Sequence, residues 1–551
     1  MSYLFNANTQ ANVVNSIIIT ANVQNNNSVV STSNPFPVTG NIAINGTVVT
    51  VPDGPSSTSA FGEPYAITIT PVIQLDAIYG STSEVIQTYT NGTGSTANAN
   101  GGIYQVSTGT SVGGYGVLRS KRFLRYRPGQ GALCRLTAAF TPNVASTSQR
   151  AGLFNEESAI MVGWNPDASD GNTPKFGVLR ATGGKAEIRT LTINSISTGS
   201  QTLSITLDGT GTFTVTGVNT SNTTLAAVAI ANRVGGYPGW LVDQVDNTVV
   251  FLASTTGAKV GTYSLTGTGT VSGTFTQQQA GVAQTENWTY QEDFNVDKLD
   301  GTGPSGMTLH SQYLNVYQIN FRWLGAGEIR YSIEDQATGN MIFFHREHYT
   351  NQHTLPHISQ PSFKIGYVAY SLGSTTNVTV TGASMMGAIE GDIRQNELNR
   401  STGASKTTLA SGTVHHLLTL KNPYVTNGKA GALNGAYILN AKELILKDIS
   451  VGTQGNDPGT VYIFYEAESF SGTHVFASQP KDNGMVSTAD GTLDKTTETA
   501  VCRFVTAING EAQYRLSDFR IAIPPGSSVS IGIESSAQTS RVAMALVFSE
   551  D

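Results

Sequence analysis

The chain has no lysine or arginine before Arg119, and only four acids, Asp53, Glu63, Asp76 and Glu84, interrupt that stretch. A start without cations, with a net charge of −7 overall, leaves no polybasic surface for nucleic acid or an anionic membrane. Charge is scarce throughout: charged residues make up 13% of the sequence against about 25% in an ordinary soluble domain. Cysteine is scarcer still. Cys134 and Cys502 stand far apart, which excludes a disulfide framework and predicts two reduced, buried thiols. No apolar run reaches the roughly 18 residues of a membrane helix, and Met1-Ser2-Tyr3-Leu4-Phe5-Asn6 lacks a basic n-region, so neither a membrane span nor a secretory signal is expected.

Polarity comes from hydroxyls and amides instead. With 59 Gly, 21 Tyr and 21 Phe among Thr-rich alternation, the composition is that of a β-protein. Residues 1–60 hold only short apolar runs between turn-forming tracts such as Asn25-Asn26-Asn27 and cannot build a core alone. They are expected to form an extended anchoring arm. Its segment Asn15 to Thr20, with Asn15, Ile17 and Ile19 as contact residues, would add to the edge of a partner's sheet.

After the arm, a strand is expected at 65–79, with Pro71 marking an edge or a break. Further strands are expected at 117–127, 132–140, 159–164 and 176–180, with turn residues between them. From 190 to 285 short Thr/Ser/Gly strands surround the clearest helix signal: Asn222, Thr223 and Thr224 as N-caps, Leu225, Val228, Ala229 and Ile230 as the apolar face, and Gly235-Gly236 as the stop. The longer strand pattern resumes at 313–323, 328–333 and 341–345. Residues 391–404 read as a linker, and seven strand candidates follow it. The last of these, Arg541 to Phe548, puts Val542, Met544, Leu546 and Phe548 on one parity. The expected fold is mainly β: an extended arm (1–60), a jelly-roll-like β-sandwich in two parts (61–189 and 286–390), a small α+β insertion (190–285), the linker (391–404) and a C-terminal β-sandwich (405–551).

Motifs that imitate chemistry are weak. Gly109-Thr110-Ser111-Val112-Gly113 matches the nucleophile-elbow spacing but lies in low-complexity sequence with no helix after it. Gly301 to Gly306 imitates a phosphate loop, with Met307-Thr308 where a lysine is required. Four of the eight histidines, His345, His348, His353 and His357, crowd into thirteen residues, yet their spacing fits no closed zinc pattern; a protonation-sensitive subunit contact or a polar loop explains them as well. Asp167 and Asp170-Gly171-Asn172 could ligate calcium, but a hairpin turn accounts for them. No catalytic residue, metal or cofactor is expected.

The basic stretch is sharper. Between Arg119 and Arg135 lie six of the 31 basic residues, and Arg119, Lys121, Arg125 and Arg127 share one parity. On one strand they would form a ladder of cations, with Arg122 on the other face. Such a ladder needs acids, from Glu156, Glu157, Glu292, Asp293, Asp297 or Asp300 in the same sandwich, or from a neighbouring subunit or an acidic sugar.

Three blocks in order carry a resemblance: Phe61-Gly62-Glu63-Pro64-Tyr65 with Pro71 to Asp76; Arg119-Ser120-Lys121-Arg122-Phe123-Leu124-Arg125-Tyr126-Arg127-Pro128-Gly129; and Trp288 leading into Asp297 to Met307. Over roughly residues 60–390 the sequence resembles a family of virion structural proteins of tailed bacteriophages, notably those of cyanobacteria and other aquatic bacteria. The resemblance implies a non-enzymatic, capsid-decorating or fibre-type component and brings no catalytic residues. It implies a virion location and other virion proteins, foremost the capsid protein, as partners. Assembly in the host cytoplasm is expected from the missing export signal and cysteine staples, and a homotrimer, or a threefold or fivefold position, from the cation ladder, which acids of a neighbouring subunit would help to answer. The alternative expectation is a tail fibre or host-recognition protein whose C-terminal sandwich binds cell-surface glycan through Tyr462, Phe464 and Tyr465.

Overall fold

The computed structural model describes residues 24–25, 28–29, 68–78, 80–208, 211–392, 398–426, 436–454, 458–479, 484–535 and 539–550. The chain divides into two units, 1–68 and 69–551. In the first, Gln24–Asn25 pairs antiparallel with Ser28–Val29; Asn15, Ile17 and Ile19 lie outside the described residues.

The second unit begins with a two-sheet, jelly-roll-like sandwich. One sheet has seven antiparallel strands in the order Thr285–Tyr290, Thr173–Thr182, Ala159–Asp167, Thr147–Phe154, Lys364–Ser371, Tyr115–Ser120 and Ile86–Asn91. The other is built around Ala132–Phe140, which pairs with Asn315–Phe321, Thr379–Gly382 and Ser384–Glu390. Among the described residues Ile69–Asp76 pairs only with Ser384–Glu390, so Pro71 sits on an edge strand, opposite a register shift at Gly387/Ala388, where its missing N–H costs no ladder bond. Strand alternation explains the core. Ala151, Leu153, Ile160, Val162 and Val178 point inward against Tyr317, Ile319 and Phe321. The opposite parity of the seven-stranded sheet is also buried, with Val117, Phe154, Met161, Leu179 and Val368 in a second apolar cluster. That sheet is therefore covered on both faces, which is unusual for an antiparallel sheet.

The insertion leaves after Thr182 and returns at Thr285, two residues that pair with each other, so the module grows from the end of one hairpin. Its strands run from Ala186–Ile196 to Val271–Gln279, starting four residues before the expected boundary. The helix spans Thr223–Ala231, and the Asn222 side chain accepts from the amides of Thr224 and Leu225. It ends at Asn232, before the expected glycine stop. Its buried face is Ala226, Ala227, Val228 and Ile230, whereas Leu225 is exposed. The small alanines let the helix lie close on the sheet, rotating the face from the one expected.

In the C-terminal sandwich, Asn399–Leu409, Thr539–Glu550, Leu444–Gln454 and Glu511–Arg515 form one sheet, and Val414–Lys421, Ser528–Ser535 and Gly459–Tyr465 are central to the other. Val542, Met544, Leu546 and Phe548 are buried on one face, as their parity requires. The stretch expected as a linker gives its last six residues to the strand Asn399–Leu409, because their polar side chains flank a backbone fully paired to Thr539–Glu550. A further apolar cluster unites Ile188, Leu241, Val245 and Leu252 of the insertion with Val425, Leu439 and Met485 of this sandwich.

Candidate functional site

The single-face ladder of cations is not formed. The strand Tyr115–Ser120 ends one residue after Arg119, and the chain bends at Lys121 and Arg122. There the Ser120 hydroxyl donates to the Arg122 carbonyl at 2.7 Å. Arg125 and Arg127 lie beyond Leu124 in the connection and are half-buried. Like charges stacked on one strand face would repel, and the bend sends successive cations to different acids. Arg119 pairs with Glu156, one of the expected counterparts. Lys121 pairs with Glu466 at 2.6 Å and Arg122 with Glu443 at 2.8 Å, both in the C-terminal sandwich. Lys421 of that sandwich reaches Asp243 of the insertion at 2.8 Å. The other expected acids serve elsewhere: Glu157 holds Lys185 at 3.1 Å and Glu292 holds Lys175 at 2.6 Å.

Arg119 is the centre of a buried polar group on the outer face of the seven-stranded sheet. Its Nε donates to Gln87 Oε1 at 3.1 Å, and one Nη2 serves both Tyr89 (3.2 Å) and Glu156. Lys364 Nζ donates to the same Gln87 oxygen at 3.1 Å and lies 4.8 Å from the Phe123 ring centre. Glu156 Oε2 is buried and accepts no hydrogen bond. Glu156 contacts Arg119, and Lys364 acts on it only through its charge. Burial, followed by the Arg119 charge, pushes the Lys364 ammonium down to about 7. Burial alone would raise the Glu156 carboxyl, but Arg119 and Lys364 hold it below its ordinary value. Gly366 stands across from Arg119 and must be glycine: a Cβ there would lie 2.0 Å from the Leu118 carbonyl oxygen.

Above this group a cavity of about 330 Å³ opens between the sheet and residues 254–256 of the insertion. Tyr89, Tyr115, Phe154 and Tyr370 wall it, and a second ion pair, Arg150 with Glu286 at 2.6 Å, closes one side. The sequence reading found Arg119 and Glu156 but missed Lys364 and Gln87. The available signal was a lone lysine in a strand, Lys364–Ser371, whose two faces are both apolar.

The remaining sequence candidates are structural. Residues 109–113 form turns, and in the 301–306 loop Asp297 accepts from the amides of Leu299 and Ser305. Asp167 caps the turn of the hairpin between Ala159–Asp167 and Thr173–Thr182, and it and Asp170 both contact Lys175. His345 is buried between Phe294 and Tyr331, His353 stacks on Tyr349, and His357 meets the Gly325 carbonyl at 2.9 Å. Among the described residues no group of three His, Cys, Asp or Glu side chains could hold a metal ion. Tyr462 and Phe464 stack in the wall of an open groove of about 500 Å³ with Lys495, Glu498 and Arg503, while Tyr465 packs against the sandwich core.

Neither a protein-family model nor a curated protein matches the chain. Solved structures similar to it include the following two. One comes from the atomic structure of Sulfolobus Turreted Icosahedral Virus, with 10% identity over 71% of this chain and 90% of that one, and a TM-score of 0.15. The other comes from work on the triple jelly roll fold and turret assembly in an archaeal virus, with 8% identity over 84% of this chain and 88% of that one, and a TM-score of 0.16. Similarity at this level carries no functional argument.

Proposed function

We propose that the chain is a non-enzymatic structural component of a bacteriophage particle, anchored by its N-terminal arm and decorating or stabilising the capsid. The observation that carries this reading is the contrast between an arm-type segment, with no basic residue and no core-forming pattern, and a body of two β-sandwiches braced by its own ion pairs. A rigid body with a pairing-competent tail is suited to permanent attachment on a lattice. The capsid protein is the proposed partner and a homotrimer the proposed assembly. Because Arg119, Lys121 and Arg122 are paired within the chain, a trimer contact would have to use other surfaces. Removal of residues 1–60 is expected to leave a soluble, folded body that no longer joins particles. Normal occupancy of the truncated protein on purified particles would place the anchor elsewhere.

The groove at Tyr462 and Phe464 favours a second reading, sugar recognition at a host surface. Binding of purified host glycans that is lost on substituting Lys495 and Arg503 would support it.

A further inference from the structure

Gln87, Arg119 and Lys364 stand on three adjacent strands of the seven-stranded sheet, all on the face turned toward the insertion. Gln87 is directly opposite Arg119, and Arg119 is opposite Gly366. Because Gly366 presents no side chain, Lys364, two residues before it on the same face, extends across the middle strand to Gln87. The Gln87 carbonyl oxygen receives two cationic donors, Lys364 Nζ and Arg119 Nε, each at 3.1 Å. Glu156 completes the group with one oxygen on Arg119 and the other buried without a partner. Lys364, Arg119 and Glu156 are all buried. A primary amine and a primary carboxamide therefore meet at 3.1 Å, with a buried carboxylate held on the neighbouring arginine. These are a nucleophile, an electrophile whose carbonyl is already polarised, and a proton carrier.

We propose that Lys364 and Gln87 become joined by an intramolecular isopeptide bond that forms within the folded sheet. Glu156, which contacts Arg119 and acts on Lys364 through its charge, accepts a proton from the Lys364 ammonium through one intervening water, freeing the lone pair on Nζ. Nζ adds to Gln87 Cδ, and the carbonyl electron pair moves onto Oε1, where the Arg119 Nε–H stabilises it. The protonated Glu156 returns its proton to Nε2, the Cδ–Nε2 bond breaks, and ammonia leaves. The proton remaining on the new amide nitrogen is lost to that ammonia. The sum is an ammonium side chain plus a carboxamide giving a secondary amide plus an ammonium ion, with no other reactant. Burial assists by keeping part of Lys364 in the amine form near neutral pH.

Two features of the fold give the bond a purpose. It would tie Ile86–Asn91, an edge strand with a single neighbour in its sheet, to a strand two positions inward. It would also remove a buried cation that makes no ion pair with any carboxylate among the described residues, leaving the Arg119–Glu156 pair in place.

The test is the intact mass of the full-length folded protein, followed by peptide mapping. The expected mass is below the sequence mass by one ammonia, with a branched peptide linking the Gln87 and Lys364 segments and no tryptic cleavage after Lys364. Lys364→Met and Gln87→Ala should each show their own full sequence mass. Glu156→Gln, or Glu156→Asp if the first does not fold, should slow bond formation at least about a hundredfold, the lower end for loss of a general acid–base group. Full sequence mass in folded wild-type protein after prolonged incubation at mildly alkaline pH would overturn the proposal. So would an ammonia loss that maps to any other residue.

Discussion

On the outer face of the first sandwich, Arg119, Lys364 and Glu156 are buried as a charged group, whereas the C-terminal sandwich contains a buried network whose members are neutral near pH 7. There Asn422 donates to the carbonyls of Lys442 and Ile523, each at 2.8 Å, and Asn440 donates to Asn422 and to the Pro423 carbonyl. His416 donates through Nδ1 to the Ala489 carbonyl and accepts at Nε2 from Thr419, which in turn meets Ser530. The neutral network satisfies its members, while the charged one leaves Glu156 Oε2 without a partner. A fully paired neutral network chiefly fixes geometry. An unbalanced charged one stores reactivity and makes each member costly to remove.

The largest expected effect comes from breaking the charged side of this contrast. Glu156→Ala strands Arg119 and Lys364 in a buried site and should cost about 3–5 kcal/mol in denaturant unfolding. A loss within experimental error would mean that the cations reach solvent and the site is not sealed.

Acid separates the two kinds of site. Burial holds His416 and His345 down to about 4 from an ordinary 6.5. Their neutral forms therefore contribute stability that is complete above pH 6.5 and is lost as pH falls toward 4. Glu156 is held below its ordinary 4.5, so its contribution persists until the pH drops beneath that value. Melting temperature should fall across the histidine window, and His416→Gln should flatten that limb. An unchanged slope would assign it to other groups.

On the neutral side, Asn422→Ala leaves two buried carbonyls without a donor and should cost about 1–3 kcal/mol, measured in the same way. The smallest effect should come from Arg122→Ala. Its side chain is 41% exposed, but Glu443 is 9% exposed and bound through both oxygens, so the loss should be about 1 kcal/mol.

What could be read from the sequence follows the range of the interactions. The insertion helix, the edge position of Pro71 and the buried parity of Val542 to Phe548 follow from local periodicity and caps. Glu156 was legible as a counter-charge because it lies in the next segment of the same sandwich. Lys364 meets Gln87 across 277 positions and Lys121 meets Glu466 across 345, and such contacts depend on strand order, which no local pattern specifies. The 391–404 stretch misled because its polar side chains suggested a loop, although strand pairing engages the backbone whatever the side chains are.

These two differently built sandwiches act as one body from Ile69 onward, through Lys121 with Glu466, Arg122 with Glu443, Lys421 with Asp243 and the shared apolar cluster. Scanning calorimetry of the full chain tests this most directly. One transition, whose calorimetric and van't Hoff enthalpies agree, should split in two when Lys121→Glu and Asp243→Lys are combined. Two resolved transitions in the unaltered protein would contradict it.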